Sequence, residues 1–255
     1  MKIALVYSYN GSGFSGSQTQ PHGNTIEDAI NKALARLGIF EPLLSSSRTD
    51  KDVHALMQVS TTYCADFWSI HKLKEQIARH LPPKIALKNV HIVPSSFHPR
   101  YDASARAYRY ILAHGPKNPY LADFVYYCQR PDIKLLNAAL NLFCGEHDFS
   151  GFYKLGSNEK SSIKEIYYAR ARSFNAHKAS YTIISLKANG FLRSQVRLMV
   201  ANSLKASANE GAMDLLKARF IGGDLSAKIP TKIPAPPQGL YLKKIFYPVF
   251  NLLAL

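Results

Sequence analysis

The stretch Ser45-Ser46-Ser47-Arg48-Thr49-Asp50-Lys51-Asp52-Val53-His54-Ala55 gathers hydroxyls, carboxylates, cations and an imidazole into one short segment. A carboxylate there could serve as nucleophile or base, and a neighbouring guanidinium could hold it ionised. The apolar run Ile39-Phe40-Glu41-Pro42-Leu43-Leu44 precedes it. Beyond it, Val53, Ala55, Met57, Val59 and Thr61 alternate with His54, Gln58, Ser60 and Thr62 at the period of a half-buried strand. A charged loop opening into a strand is a place where rigid elements can present a reactive side chain. Ser, Thr, Asp and Lys are also ordinary turn residues, and Asp often bonds its own backbone there. Asp50-Lys51-Asp52 has the opening of a calcium loop but lacks that motif's glycine and distal glutamate.

Other candidates are weaker. Gly11, Gly13 and Gly16 formally match the G-x-G-x-x-G dinucleotide fingerprint, yet Ser17 to Gly23 intervene before a helix can start, whereas the nucleotide fold opens its helix within the motif. We therefore expect no nucleotide cofactor. His147 and Asp148, in Gly145-Glu146-His147-Asp148-Phe149, lack a partner at metal-ligand spacing and are assigned to packing. Cys64, Cys128 and Cys144 are odd in number with no Cys-x-x-Cys pair, so neither a disulfide framework nor a zinc site is indicated.

The balance of 32 Lys+Arg against 17 Asp+Glu gives a formal charge of +15, which favours a polyanionic partner: nucleic acid first, an anionic membrane surface second. Arginines interleave with aromatics in Arg100-Tyr101-Asp102-Ala103-Ser104-Ala105-Arg106-Ala107-Tyr108-Arg109-Tyr110, a mixture suited to phosphate contact and base stacking, and this favours RNA. With 255 residues, 47% of them hydrophobic, the chain can bury a real core. No apolar run approaches membrane-spanning length, and residues 1–9 read as a first strand, not a signal peptide. A cytoplasmic protein is expected.

The elements that would carry these residues follow from periodicity. A helix capped by Asn24, with Glu27 three residues on, places Ile26, Ala29, Ile30, Ala33, Leu34 and Leu37 on one face and ends at Gly38. A second runs from about Ser69 to Leu81 and stops at Pro82-Pro83. A strand over residues 85–93 follows, then one in which Arg106, Tyr108 and Tyr110 share a face. After the break at His114-Gly115-Pro116, Asp132 caps a helix through Phe143. Strands over 164–173 and 181–188 lead to a helix over 191–200, on which Arg193 and Arg197 share a face; Gly211 ends that helix, and a short one follows over 214–220. The Pro-rich run 229–237 is a loop, and a last strand starts at 238–242. The order predicts an α+β fold of two halves, 1–105 and 106–255, each a mainly antiparallel sheet backed by helices.

Ser47-Arg48-Thr49-Asp50-Lys51-Asp52-Val53-His54-Ala55 resembles the Gly-Arg-Thr-Asp-Ala-Gly-Val-His-Ala signature of the tRNA pseudouridine synthase A family, with Ser47, Lys51 and Asp52 replacing Gly, Ala and Gly. Further similarity lies in residues 9–20, where Asn10 and Ser17 replace Asp and Trp, in Phe97-His98-Pro99-Arg100-Tyr101, in Tyr108-Arg109-Tyr110, in Phe191 to Arg197 and in Gly239-Leu240-Tyr241-Leu242. The resemblance implies a pseudouridine synthase fold, a homodimer and, as target, the anticodon stem-loop of tRNA at nucleotides 38 to 40. It implies that Asp50 is the catalytic carboxylate and Arg197 its counter-ion, that Tyr108 packs on the target uracil, that Arg48 contacts RNA and that Leu240 lines the pocket. Arg106 and Arg193 join the RNA-binding set. Asp is one of the few non-glycine residues that adopt a left-handed backbone cheaply, so it can stand at position 52, where we expect its carboxylate to face the site and oppose ionisation of Asp50. Two rival classes remain at this point: a non-catalytic RNA-binding protein, which would not need Asp50, and a nucleotide-cofactor enzyme built on the glycines.

Overall fold

The structure, a computed structural model, describes residues 1–154, 161–176 and 179–248. They fall into two compact units, residues 1–105 with 241–248 and residues 106–240. The division set from sequence at 105 and 106 differs in one respect: the last strand returns to the first unit, because Tyr241 and Leu242 pair in parallel with His54 and Ala55.

In the first unit the strands are β1 (Lys2–Tyr9), β2 (Leu44–Ser45), β3 (His54–Tyr63) and β4 (Ile85–Ile92), with α1 (Ile26–Ala35) and α2 (Ile70–His80). β1 is antiparallel to both β3 and β4. Ile3, Ala4, Leu5, Val6 and Tyr7 are all buried, so β1 is apolar on both faces as a central strand must be. β3 departs from the half-buried strand expected of its alternation. Its polar face is buried too, including His54, Gln58, Ser60 and Thr62. That face is tolerable because it is hydrogen-bonded: the Tyr7 hydroxyl and the Ser45 hydroxyl each lie 2.8 Å from Ser60 Oγ, and Ser45 Oγ donates to Glu27 Oε1 at 2.7 Å.

α1 starts one residue later than its sequence signals indicate. Asn24 is left-handed (φ 59°), and Thr25 is the cap: its hydroxyl accepts from Asp28 N while Asp28 Oδ2 accepts from Thr25 N, a reciprocal box. The helix buries Ile26, Ile30, Ala33 and Leu34 and ends at Ala35, before Gly38. α2 is capped by Ser69 and buries Leu73 and Ile77.

The second unit contains β5 (Ala105–His114), β6 (Tyr126–Tyr127), α3 (Ile133–Asn141), β7 (Gly145–Asp148), β8 (Ile163–Ala176), β9 (Ala179–Ala188), α4 (Gln195–Ala206) and α5 (Glu210–Phe220), and the chain then runs into β10 (Leu240–Phe246). β5, β9, β8 and β7 are joined in that order by antiparallel pairings, and β6 adds a short parallel pair to β5. Asp132 caps α3 by accepting from Lys134 N and Leu135 N, and these two donors hold its carboxyl below its ordinary range. Phe143, Phe149 and Phe152 are fully buried and meet Phe220 at ring separations of 4.9, 5.6 and 5.4 Å. The Gly145–Phe152 segment thus packs the core of this unit. Arg219, also buried, donates to Ser150 Oγ and to the carbonyl of Leu225 and so holds the adjoining loops.

Two boundaries differ from the sequence reading. Ser194 is left-handed (φ 60°), which delays α4 to Gln195 and leaves Arg193 before the helix, so Arg193 and Arg197 do not share a helical face. α4 ends at Ala206, and Gly211 lies inside α5, which is capped by Asn209. Each unit is α+β with a mainly antiparallel set of strands. Among the described residues, no helix is long and apolar enough to cross a membrane.

Candidate active site

The loop carrying Arg48 and Asp50 is fastened at both ends and along its length within the first unit. Ser46 N donates to Val59 O at 2.9 Å, and Gln58, buried in β3, donates Nε2 to Ser47 O at 2.6 Å. At the far end Val53 N donates to Asp50 O at 3.2 Å, closing a turn in which Asp52 adopts φ 62°. Asp50 is half-buried and Arg48 is exposed.

Residues 10–17 lie directly against this loop. A Cβ at Gly11 would stand 2.0 Å from the carbonyl oxygen of Val53, so only glycine permits the approach. Gly11 N then donates to His54 Nδ1 at 3.1 Å, which places the neutral imidazole proton on Nε2. The His54 ring is buried and stacks on Tyr241 at 4.7 Å. Asp52 Oδ1 accepts from Gly13 N at 3.1 Å. The left-handed backbone of Asp52 is as anticipated, and its carboxylate is tied to the 10–17 loop by the backbone N–H of Gly13.

In the second unit Arg106 and Tyr108 share β5, opposite Ala188 and Leu186 of β9. Tyr108 is 8% exposed and meets the edge of Phe191 at 5.3 Å with an interplanar angle of 88°. Arg106 donates to Asn189 O at 3.0 Å. Two residues further along β5, Tyr110 is fully buried, not half-buried as its strand position suggests, and its hydroxyl donates to Pro236 O at 2.7 Å. Burial pushes this phenol well above its ordinary range, and the Arg197 guanidinium pulls in the other direction. Arg197 Nε donates to Ala235 O at 2.6 Å, and Ala235 N donates to Arg197 O at 3.0 Å, so the plane of the guanidinium is set by the Pro-rich segment. Leu240, just beyond that segment, is buried, whereas Arg193 is exposed and its carbonyl accepts from Lys154 N.

The structure therefore brings Arg48 and Asp50 together on one loop, and Arg106 and Tyr108 together on one strand. Arg197 is seated on the segment leading to Leu240, and Arg193 precedes α4. Missed in the sequence were Ser17, Phe191, Tyr110 and His54 as neighbours of these groups. Phe191 stands in a quoted motif, but its place at the edge of Tyr108 depends on the β5–β9 register, which no local pattern encodes.

The chain is a strongly basic, mainly antiparallel α+β protein with a carboxylate loop running into a central strand, and it belongs to the tRNA pseudouridine synthase family, whose profile matches residues 5–102 and 139–248. A tRNA pseudouridine synthase A of Campylobacter jejuni subsp. doylei is 39% identical over 253 residues, spanning 97% of this chain and 100% of the relative. One from Helicobacter pylori strain P12 is 35% identical over 240 residues, spanning 94% of this chain and 97% of the relative. The matched blocks take in Arg48, Asp50, Arg193, Arg197 and Leu240, while Arg106 and Tyr108 fall between them.

Proposed function

We propose that this chain is an isomerase that converts uridine to pseudouridine in the anticodon stem-loop of tRNA, at nucleotides 38 to 40, with Asp50 as the reacting carboxylate. The observation that supports this best is that the family match includes the loop bearing Asp50, and that this loop is pinned by hydrogen bonds on either side of that residue. The reaction breaks the C1′–N1 bond, turns the detached uracil and joins C1′ to C5; N1 gains a proton and C5 loses one. Reactants and products have the same composition, so the balance needs no hydride donor.

A paired base must leave its stack first, at a cost of a few kcal/mol, and a basic surface with an aromatic platform offsets that cost. The roles that the resemblance gives Tyr108, as platform, and Arg197, as counter-ion of the carboxylate, complete the assignment. Arg48 and Arg193 are exposed and suited to phosphate contact, with Arg106 beside them in role and Leu240 contributing apolar surface. The enzyme works in the cytoplasm as a homodimer in this reading.

Asp50→Asn keeps size and polarity while removing the charge. Pure Asp50→Asn protein is expected to bind tRNA with unchanged affinity and to form no pseudouridine in a single-turnover assay. Turnover by this variant would overturn the assignment of Asp50, and wild-type protein that binds tRNA without forming pseudouridine would make the chain a non-catalytic RNA-binding protein.

A further inference from the structure

The residue immediately before Asp50 is held at three points. Thr49 N donates to Ser17 Oγ at 2.8 Å, Ser17 N donates back to Thr49 O at 3.1 Å, and the hydroxyls of Thr49 and Tyr9 lie 2.8 Å apart. Ser17 is buried, so the Thr49 N–H it satisfies has little access to water. Gly16 makes the approach possible: it adopts φ +111°, and a Cβ there would stand 3.1 Å from Thr49 O, 3.5 Å from Lys51 N and 3.6 Å from Asp50 C. The backbone on both sides of Asp50 thus rests on the Gly16–Ser17 peptide.

That peptide has its own anchor. Ile26 N donates to Gly16 O at 3.2 Å and Glu27 N donates to Ser17 O at 3.0 Å, so the free N–H groups of the first turn of α1 grip the same two residues. Glu27 adds its side chain, accepting from Thr19 N at 2.9 Å and from Ser45 Oγ at 2.7 Å. A continuous series of hydrogen bonds runs from the first turn of α1 through Gly16 and Ser17 to Thr49, one bond from the residue assigned to catalysis. Asp52 to Gly13 and His54 to Gly11 are parallel ties between the same two loops.

We infer that Ser17 is a positioning residue for Asp50: its hydroxyl and N–H bracket Thr49 and thereby set the direction in which the Asp50 carboxylate leaves the loop. The inference rests on Asp50 being the reacting group. Ser17 is only 2% exposed, its Oγ and N face Thr49 and its O faces Glu27, so it offers RNA no accessible surface. Its removal therefore acts on the chemical step and not on binding, because small displacements of a reacting group slow the step while the remote contacts that hold the substrate persist.

The test uses full-length Ser17→Ala, Ser17→Thr, Tyr9→Phe and Asp50→Asn proteins, assayed for single-turnover pseudouridine formation and tRNA affinity well below their unfolding temperatures. Ser17→Ala is expected to slow the single-turnover rate roughly tenfold with tRNA Kd within about twofold of wild type, below the ~100-fold that a 1 Å misplacement can produce. Ser17→Thr, which keeps the hydroxyl, is expected to recover most of the rate, and Tyr9→Phe to slow it by about threefold, as the loss of one of three ties. Ser17→Ala at the wild-type rate would overturn the inference. So would equal losses of rate and affinity, which would make Ser17 an RNA contact, or a Ser17→Thr protein as slow as Ser17→Ala. If Asp50→Asn turns over, the Asp50 assignment itself falls. If Asp50→Asn is inert while Ser17→Ala is fully active, only the positioning role is lost.

Discussion

At Tyr108 the ring is almost wholly enclosed, and its ring partner is Phe191. Phe191 presents an edge contact at 88°, a geometry in which the ring quadrupoles attract. Such a contact fixes the plane of Tyr108 and, in the role proposed for this ring, the plane on which a flipped base would lie. Replacing the phenol by phenyl keeps the ring and its contact with Phe191, whereas leucine removes the ring and with it that contact. Tyr108→Phe is therefore expected to retain substrate stacking, and Tyr108→Leu to lose about 1–3 kcal/mol of it, or roughly 5- to 150-fold. Affinity for tRNA and single-turnover rate measured on both variants check this, and a Tyr108→Leu protein indistinguishable from wild type would remove Tyr108 from the site. Any loss in Tyr108→Phe that leaves affinity intact would point instead to the hydroxyl as a proton carrier.

Among the elements, α1 shows how local signals set the positions of distant chemistry. Its N-terminus holds the Gly16–Ser17 peptide, and its start is set by the Thr25–Asp28 box. Thr25→Ala removes a buried cap and is expected to lower global stability by about 1 kcal/mol, whereas Thr25→Ser is expected to keep most of it; urea denaturation with unchanged slope would show this, and equal midpoints for wild type and Thr25→Ala would refute it. The box was not legible, because Asn24 with Glu27 offers the same spacing one residue earlier; the left-handed backbone of Asn24, seen only in the structure, decides between them. A similar backbone conformation at Ser194 displaced the start of α4 and separated Arg193 from Arg197. The apolar faces of α1, α2 and α3 were legible, since burial of Ile30, Leu73, Leu136 and their neighbours needs only a 3.6-residue period. For β3, alternation located the strand but not the buried polar side, because Ser60 and His54 become tolerable only through partners from other elements. At the site, the Asp50 loop could be found from its motif, while Ser17 could not: a lone serine in a glycine-rich loop carries no signal until the backbone of Thr49 comes against it.

Across the described residues, desolvated phenols and thiols contribute to the response to alkali, and three tyrosines and Cys128 carry the largest shifts. Burial pushes the hydroxyls of Tyr7, Tyr110 and Tyr241 well above the ordinary 10.0 of a phenol, and the Cys128 thiol up to about 11 from 9.0. In each case the folded chain keeps its proton at a pH where the unfolded chain has released it. The unfolded state then binds fewer protons, so stability falls as pH rises, by about 1.4 kcal/mol per pH unit for each such group once its unfolded value is passed. Below pH 9 these groups contribute no slope; Cys128 adds one from about 9 and the three phenols from about 10. Urea denaturation between pH 8 and 11 is expected to show a steepening loss of stability. Tyr110→Phe loses the bond to Pro236 and is less stable at pH 8, yet its stability is expected to fall less steeply above pH 10, because one of the three phenols no longer ionises in the unfolded chain. Tyr7→Phe is expected to behave alike, since its hydroxyl is likewise enclosed and bonded to Ser60. Parallel curves for wild type and both variants above pH 10 would show that these phenols ionise in the folded chain as readily as in the unfolded one.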